Sequence, residues 1–293
     1  RPYIYHKDRI QTPLRRIGNR GEGAFEPVSW DEALDEIGKR LGDCRRKYNA
    51  SAVAFTGGFS PWNRAALQRL AYSFGSVNYG SSWRLERIGA AIAGGAAAGC
   101  MSRPDIHHAG VVVIWGCNQY NKGNTVVDDA LTQKRGAKVI VIDPWLSQTS
   151  QMVADEWIPI LPGSDTALVI AICYEWINAG TYDQEFLDTY CIGFDGDHMP
   201  EGAPENASWK DYVMGTGYDM TPKTPEWAEK ICGVPADTIR SLAAEIASVD
   251  KVDFNCAQSA SKIPAGEQFV QSFYTMALMH GGIGTPGHYF GWS

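Results

Sequence analysis

Cysteine pairs at metal-binding spacing are missing from this sequence. Its seven cysteines, at 44, 100, 117, 173, 191, 232 and 256, never form a Cys-x-x-Cys pair, so neither a zinc knuckle nor an iron–sulfur site can be drawn from spacing. An odd number also excludes a framework in which every cysteine is paired within the chain, and most are expected as buried thiols. No basic block is present: 26 Lys and Arg face 33 Asp and Glu, for a formal charge of −7. Without clustered cations to neutralise phosphates along a groove, no nucleic-acid partner is expected. No apolar run approaches the roughly 20 residues of a membrane-spanning helix, so a membrane is expected to be reached only through a partner. A Gly-x-Gly-x-x-Gly turn between a strand and a helix is absent, which removes the NAD-type nucleotide site. A Gly-x-Ser-x-Gly elbow is absent as well, which removes one form of Ser-His-Asp hydrolase. There is no internal repeat and no low-complexity tract.

What is present reads as a buried parallel sheet. Val111-Val-Val-Ile-Trp115 and Lys138-Val-Ile-Val-Ile142 are short apolar, β-branched runs, the composition of strands covered on both faces. Each ends in a turn: Gly116-Cys117-Asn118 after the first, Asp143-Pro144 after the second, with Pro162-Gly163-Ser164-Asp165 following. Helices are expected over Trp30–Leu41 with Ser29 as N-cap, Arg64–Phe74, Thr166–Asn178, Pro225–Lys230 and Ala236–Ser248. A strand is expected over Ser51–Phe55, ending in Thr56-Gly57-Gly58 where backbone can approach a ligand or simply turn. The alternation gives an α/β fold, a parallel Rossmann-like sheet flanked by helices. The Gly-, Pro- and Asp-rich stretch 195–224 breaks the pattern and is expected as a surface excursion anchored by Trp209 and Tyr212. His280, closing an apolar helix before Gly281-Gly282, is expected to interact with the helix dipole. His107-His108 beside Asp105 is expected to be exposed.

The sheet edge is suited to a nucleotide. Guanine presents N1–H and N2–H together, so a carboxylate such as Asp165 or Asp143 can accept both. Asn118 can bond a ribose or phosphate oxygen, Gly116 leaves room for backbone, and Gln119 can reach the same ligand. Each of these turns is, taken singly, also an ordinary strand terminator.

The ordered set Trp115-Gly-x-Asn118, Ile142-Asp-Pro144 and Ala154-Asp-Glu-Trp-Ile-Pro-Ile-Leu-Pro-Gly-Ser-Asp165 resembles the catalytic subunits of the molybdopterin oxidoreductases, the dimethyl sulfoxide reductase family. Further matches run from Arg9-Ile-Gln-Thr-Pro-Leu-Arg-Arg16 and Val28-Ser-Trp-Asp-Glu-Ala33 through Thr224-Pro-Glu-Trp-Ala228 to Gly281-Gly-Ile-Gly-Thr-Pro-Gly287. Members are usually longer, so the chain, which starts at Arg1-Pro2, is expected to be an internal portion of a larger multidomain subunit. The resemblance implies a metal-site lobe over 1–110, a Rossmann-like guanine-dinucleotide region over 111–255, and a return segment to the metal-site lobe over 256–293.

It also implies a cofactor, bis-molybdopterin guanine dinucleotide carrying molybdenum, with tungsten as the alternative metal. Asp143, Ser147 and Thr149 would lie near the ribose, Gly163 and Asp165 at the guanine, and Gly116, Asn118, Gln119 and Gln258 along the rest. The protein ligand to the metal is expected at Ser82, where the metal's charge would deprotonate the hydroxyl. Ser81 and Glu86 are the alternatives, and Ser81-Ser82 also reads as a plain helix cap. Trp62 is a candidate substrate contact that would otherwise pack. A 4Fe-4S cluster is implied in an upstream segment or a partner, and an iron–sulfur electron-transfer subunit as partner. Location is open between the cytoplasm and export of the folded protein by a twin-arginine route.

The activity so implied is two-electron oxygen-atom or hydroxyl transfer, by default reduction of a small S- or N-oxide. An alternative is dehydroxylation or transhydroxylation of phenolic rings, suggested by the Asn78-x-x-Ser-Ser-Trp83 and Thr221–Ala228 neighbourhoods. Against it stands the lack of a His over Thr56–Asn63 to act as base. A non-catalytic scaffold of the same fold is the reading from another class.

Overall fold

A computed structural model describes residues 2–58, 61–81, 105–122 and 136–292. Contacts divide the chain into two compact units, Arg1–Leu85 and Glu86–Ser293.

In the first unit, β1 (Leu14–Arg16) and β2 (Phe25–Pro27) pair antiparallel. Helix α1 (Trp30–Lys47) starts at Ser29, whose Oγ accepts the Glu32 N–H at 3.2 Å, while the Glu32 carboxylate accepts the Ser29 N–H at 2.9 Å. This reciprocal cap satisfies two amides that the helix itself leaves unbonded. The helix runs past the expected Leu41 because Arg45, Arg46 and Lys47 fill its last turn, where cations suit the helix dipole. The strand expected at Ser51 starts only at Phe55. The Asn49 side chain takes the Ala52 N–H at 3.1 Å and winds Ala50–Ala52 into a 3-10 turn. Strand β3 (Phe55–Gly57) then pairs in parallel with β4 (Tyr79–Ser81) through the crossover helix α2 (Pro61–Phe74). A Cβ on Gly57 would lie 2.9 Å from Leu67 Cδ2. Close packing of α2 on β3 therefore accounts for that glycine without a ligand.

In the second unit, β5 (Val111–Trp115), β6 (Lys138–Ile142), β7 (Glu156–Ile158), β8 (Val252–Cys256) and β9 (Tyr289–Trp292) form a parallel sheet in the order β7-β6-β5-β8-β9. The helices are α3 (Gln119–Lys122), α4 (Gln148–Val153), α5 (Asp165–Ala179), α6 (Gln184–Tyr190), α7 (Trp209–Met214), α8 (Pro225–Cys232), α9 (Ala236–Ala247) and α10 (Glu267–His280). One sheet face, with Val113, Trp115, Ile142 and Phe254, packs on α5 and α10 residues such as Leu168, Phe269 and Phe273. The other carries Val112, Ile114, Val139 and Val141. Both faces of β5 are buried, as its unbroken apolar run requires. The α5 helix is the hub, touching α7, α8, α9 and α10. Residues 256–293, read above as a return segment, add α10 and the edge strand β9 to this same unit.

Two expectations are corrected. The stretch 195–224 is more than a surface excursion, since α7 docks on α5 and buries Val213, Ser208 and Lys223. Lys223, 1% exposed, places Nζ 2.7 and 3.0 Å from the two Asp219 oxygens, bonds the Thr221 carbonyl, and lies 4.4 Å from the Tyr212 ring centre and 5.6 Å from that of Trp227. This ammonium is the strap that closes a loop with no core of its own. Lys223→Met should lower stability, because the Thr221 carbonyl and Asp219 lose the ammonium that ties them together. Chemical denaturation with the midpoint followed by fluorescence would measure it, and an unchanged midpoint would dismiss the strap. His280 is not a charged dipole partner. Burial depresses its pKa, it bonds the Val249 carbonyl through Nε2 at 3.0 Å, and its ring packs against Trp176 and Phe254.

Candidate nucleotide edge of the parallel sheet

From β5 the chain steps outward to β6 and β7, then crosses to the other side for β8 and β9. The strand order therefore reverses between β5 and β8, and the loops leaving their carboxyl ends diverge into a crevice where α/β sheets bind ligands. The loops at this edge begin at Gly116, Asp143 and Ala257, with Gly163–Asp165 following β7.

Asp165 opens α5 and is 6% exposed. The Trp115 indole N–H donates to its Oδ1 at 2.7 Å, carrying the carboxylate over the end of β5. Burial pushes its pKa up, opposed by that indole and by the Gly163 N–H. Gly163 turns with φ +80°, a backbone state that a side chain would strain. Asp143 follows Ile142, the register partner of Trp115, and so reaches the same edge one strand over. It is 4% exposed and accepts the Trp145 N–H at 3.2 Å. Burial raises its pKa and the Asp165 charge adds to the rise. The Trp157 indole fixes the Asp143 carbonyl at 3.0 Å.

Gln119 is 1% exposed, and neither its Oε1 nor its Nε2 has a hydrogen-bond partner among the described residues. Leaving an amide buried and unbonded costs about 1–3 kcal/mol for each group. Such a side chain at the mouth of a switch-point crevice fits a polar ligand that supplies both a donor and an acceptor. Asn118 has its Oδ1 engaged by the Thr149 N–H at 3.3 Å and the Thr149 hydroxyl at 3.0 Å. That hydroxyl also accepts the Tyr120 N–H at 3.1 Å. Thr149 therefore orients Asn118 through its amide oxygen. Ser147 caps α4 through the Ser150 N–H at 3.2 Å. Gly116 has a local reason: a Cβ there would lie 2.8 Å from Ser259 Oγ, and the Ser259 hydroxyl donates to the Gly116 carbonyl at 2.5 Å. That bond ties the loop after β5 to the loop after β8. Gln258 enters the 3-10 turn Gln258–Ser261 directly after β8.

A cavity of about 1370 Å³ meets this edge at Gly163 and Ile263 and otherwise runs beside Thr166, Tyr212, Gln268 and Phe290. It belongs to the helical side, away from Asp143 and Gln119. Among the described residues, metal-ligand reach is found at Asp188, Asp195 and His198. There the Gln184 amide bridges both carboxylates, and the Asp195 hydrogen bond raises the His198 pKa, so the trio is satisfied as an ion-pair cluster.

In the first unit, β3 and β4 are parallel, so the loops after Gly57 and after Ser81 leave one end of the pair. Ser81 ends β4 opposite Gly57, and Trp62 lies in the first turn of α2. Ser82 and Glu86 lie outside the described residues. Sequence reasoning missed Trp115, Trp145, Trp157 and Ser259 as the groups that hold the edge. The signal for Trp115 was its position, a bulky indole on the last residue of a buried strand, where its N–H needs an acceptor.

Comparison with known proteins places these features in a family. The chain matches the family described as molybdopterin oxidoreductase over residues 9–293. It is 36% identical to the putative dimethyl sulfoxide reductase chain YnfE of Escherichia coli, and 34% identical to the dimethyl sulfoxide reductase DmsA of the same organism. Each alignment covers 97% of this chain and 37% of the relative. The solved structure of acetylene hydratase from Pelobacter acetylenicus superposes with a TM-score of 0.62 at 25% identity, covering 98% of this chain and 37% of that one. The chain thus spans a little over a third of the length of the relatives it matches.

Proposed function

Because the chain belongs to the molybdopterin oxidoreductase family, we propose that it is the portion of a molybdenum-dependent reductase that holds a guanine-dinucleotide pterin along the carboxyl edge of its sheet. The single observation that carries this reading is Gln119, a buried amide without a hydrogen-bond partner among the described residues, just after β5 at the sheet edge that also carries two buried carboxylates. Asp165 would accept the two N–H groups of a guanine, with Asp143 beside it toward the ribose. Asn118 and Gln119 would bond the linking oxygens, with Gln258 above the β8 end. Ser147 and Thr149 act through the turn and the Asn118 amide they hold. Ser82 would be the protein ligand to the metal, with Ser81 and Glu86 as alternatives, and Trp62 a wall of the substrate space. When bound, the cofactor supplies two-electron oxygen-atom transfer, which side chains alone cannot perform.

The whole enzyme is then a reductase of a small S- or N-oxide, supported by the dimethyl sulfoxide reductases among its relatives, and would draw electrons from an iron–sulfur partner subunit. Anaerobic assay of the full-length enzyme with a reduced viologen, offered dimethyl sulfoxide, trimethylamine N-oxide and a catechol in turn, tests this. Viologen oxidation with either oxide is the expected result. Turnover of the catechol alone would move the assignment to the ring-hydroxyl branch, and turnover of none with cofactor present would favour the scaffold.

A further inference from the structure

Asp143 and Asp165 end neighbouring strand loops at one crevice, and both are more than nine-tenths buried. Each has fewer donors than its oxygens can accept. Asp165 takes the Trp115 indole and the Gly163 N–H, and Asp143 takes the Trp145 N–H. Among the described residues, no Lys, Arg or His forms an ion pair with either. The Cys232 thiol feels the Asp165 charge and that of Glu229 on α8, and neither group supplies positive charge. Two carboxylates so placed repel one another, and a shared crevice relieves this most cheaply by keeping a proton on one of them. A carboxylic acid O–H, however, meets a ligand N–H donor to donor.

Resting on the nucleotide reading above, we propose that Asp165, with Asp143 as its acidic neighbour, binds the donor edge of a guanine only when the pair surrenders a proton, so that cofactor capture at this edge is coupled to proton release. The exchange balances: the carboxyl O–H breaks, its proton goes to solvent, and the freed oxygen accepts the ligand N–H. The direction agrees with the electrostatics, since burial raises both pKa values and the Asp165 charge adds to the rise at Asp143. Bases with an acceptor at the same position, such as adenine, bond the protonated acid directly. The pair therefore also selects guanine over adenine more strongly as pH rises.

The test is calorimetric titration of GDP into full-length protein made in a host unable to assemble the pterin, in two buffers of different ionisation heat. Affinity should rise with pH by about tenfold per unit on the acid side and then level, with about one proton released per GDP where it rises. ADP should bind more weakly and without the rise. Asp143→Asn removes the neighbouring charge, so the acid-side fall for GDP should move to lower pH, a shift that a merely structural role would not produce. GDP binding with a flat profile and no buffer-dependent heat would overturn the coupling and leave the nucleotide site standing. Absence of GDP binding at every pH would overturn both.

Discussion

Asp165→Asn should yield a folded protein that has lost most of its cofactor. The new amide keeps an oxygen for the Trp115 indole, 2.7 Å away in the native chain, so the core is spared. Its other atom becomes an N–H pointing at the guanine donors, replacing an attraction by a clash. Charge-assisted hydrogen bonds of this kind contribute about 1.5–3 kcal/mol each, so losing one and misaligning its neighbour weakens binding by about a hundredfold. Molybdenum content and acid-released guanine nucleotide should fall together, while the unfolding midpoint stays close to native. Full metal content in Asp165→Asn would show that the carboxylate does not hold the base. Burial raises the Asp165 pKa, so the charged form is costly there, and an uncharged amide should leave the unloaded variant no less stable than unloaded native protein at neutral pH.

The second large effect belongs to Ser82. Under the proposed ligation, Ser82→Ala should abolish turnover, well beyond the loss of about 10- to 100-fold typical of groups that only support a ligand. Metal content should hold, because the pterin sulfurs and the nucleotide edge do not depend on that hydroxyl. The electron paramagnetic resonance signal of the half-reduced enzyme should change, which separates loss of a ligand from loss of fold. Ser81→Ala and Glu86→Gln are the controls. Ser81 ends β4 in register with Gly57, so its replacement should disturb turnover less. A native signal in Ser82→Ala together with an altered one in either control would transfer the ligand there.

Much of the second unit was legible because its residues leave little choice. Five consecutive apolar residues from Val111 and the run from Lys138 become strands in the expected places, with Val112 and Ile114 on one face and Val113 and Trp115 on the other. One helix start was legible from chemistry, since Ser29 is the cap expected of it; the Thr224 cap before Pro225 emerges only in the structure. Less local decisions were not. Ser51–Phe55 has strand composition, but the Asn49 side chain bonds the backbone first. The polar stretch 195–224 looks loop-like because its anchor is one ammonium, Lys223, enclosed by Asp219 and two rings. No periodicity reports a cage built from residues four apart and from another helix. At the site, the spacing of turns located Asp143, Gly163 and Asp165. It could not reveal that Thr149 acts through Asn118, that Ser259 explains Gly116, or that Gln119 is left without hydrogen-bond partners among the described residues. Those are pairings across strands, fixed only when the sheet order is known.

The most direct measurement is metal and nucleotide analysis of the native full-length subunit, purified without oxygen from a cofactor-competent host. The account predicts about one molybdenum or tungsten per chain, accompanied by guanine nucleotide released on acid hydrolysis at about two per metal. A folded protein from that host with neither metal nor nucleotide would contradict the catalytic reading and leave a scaffold in its place.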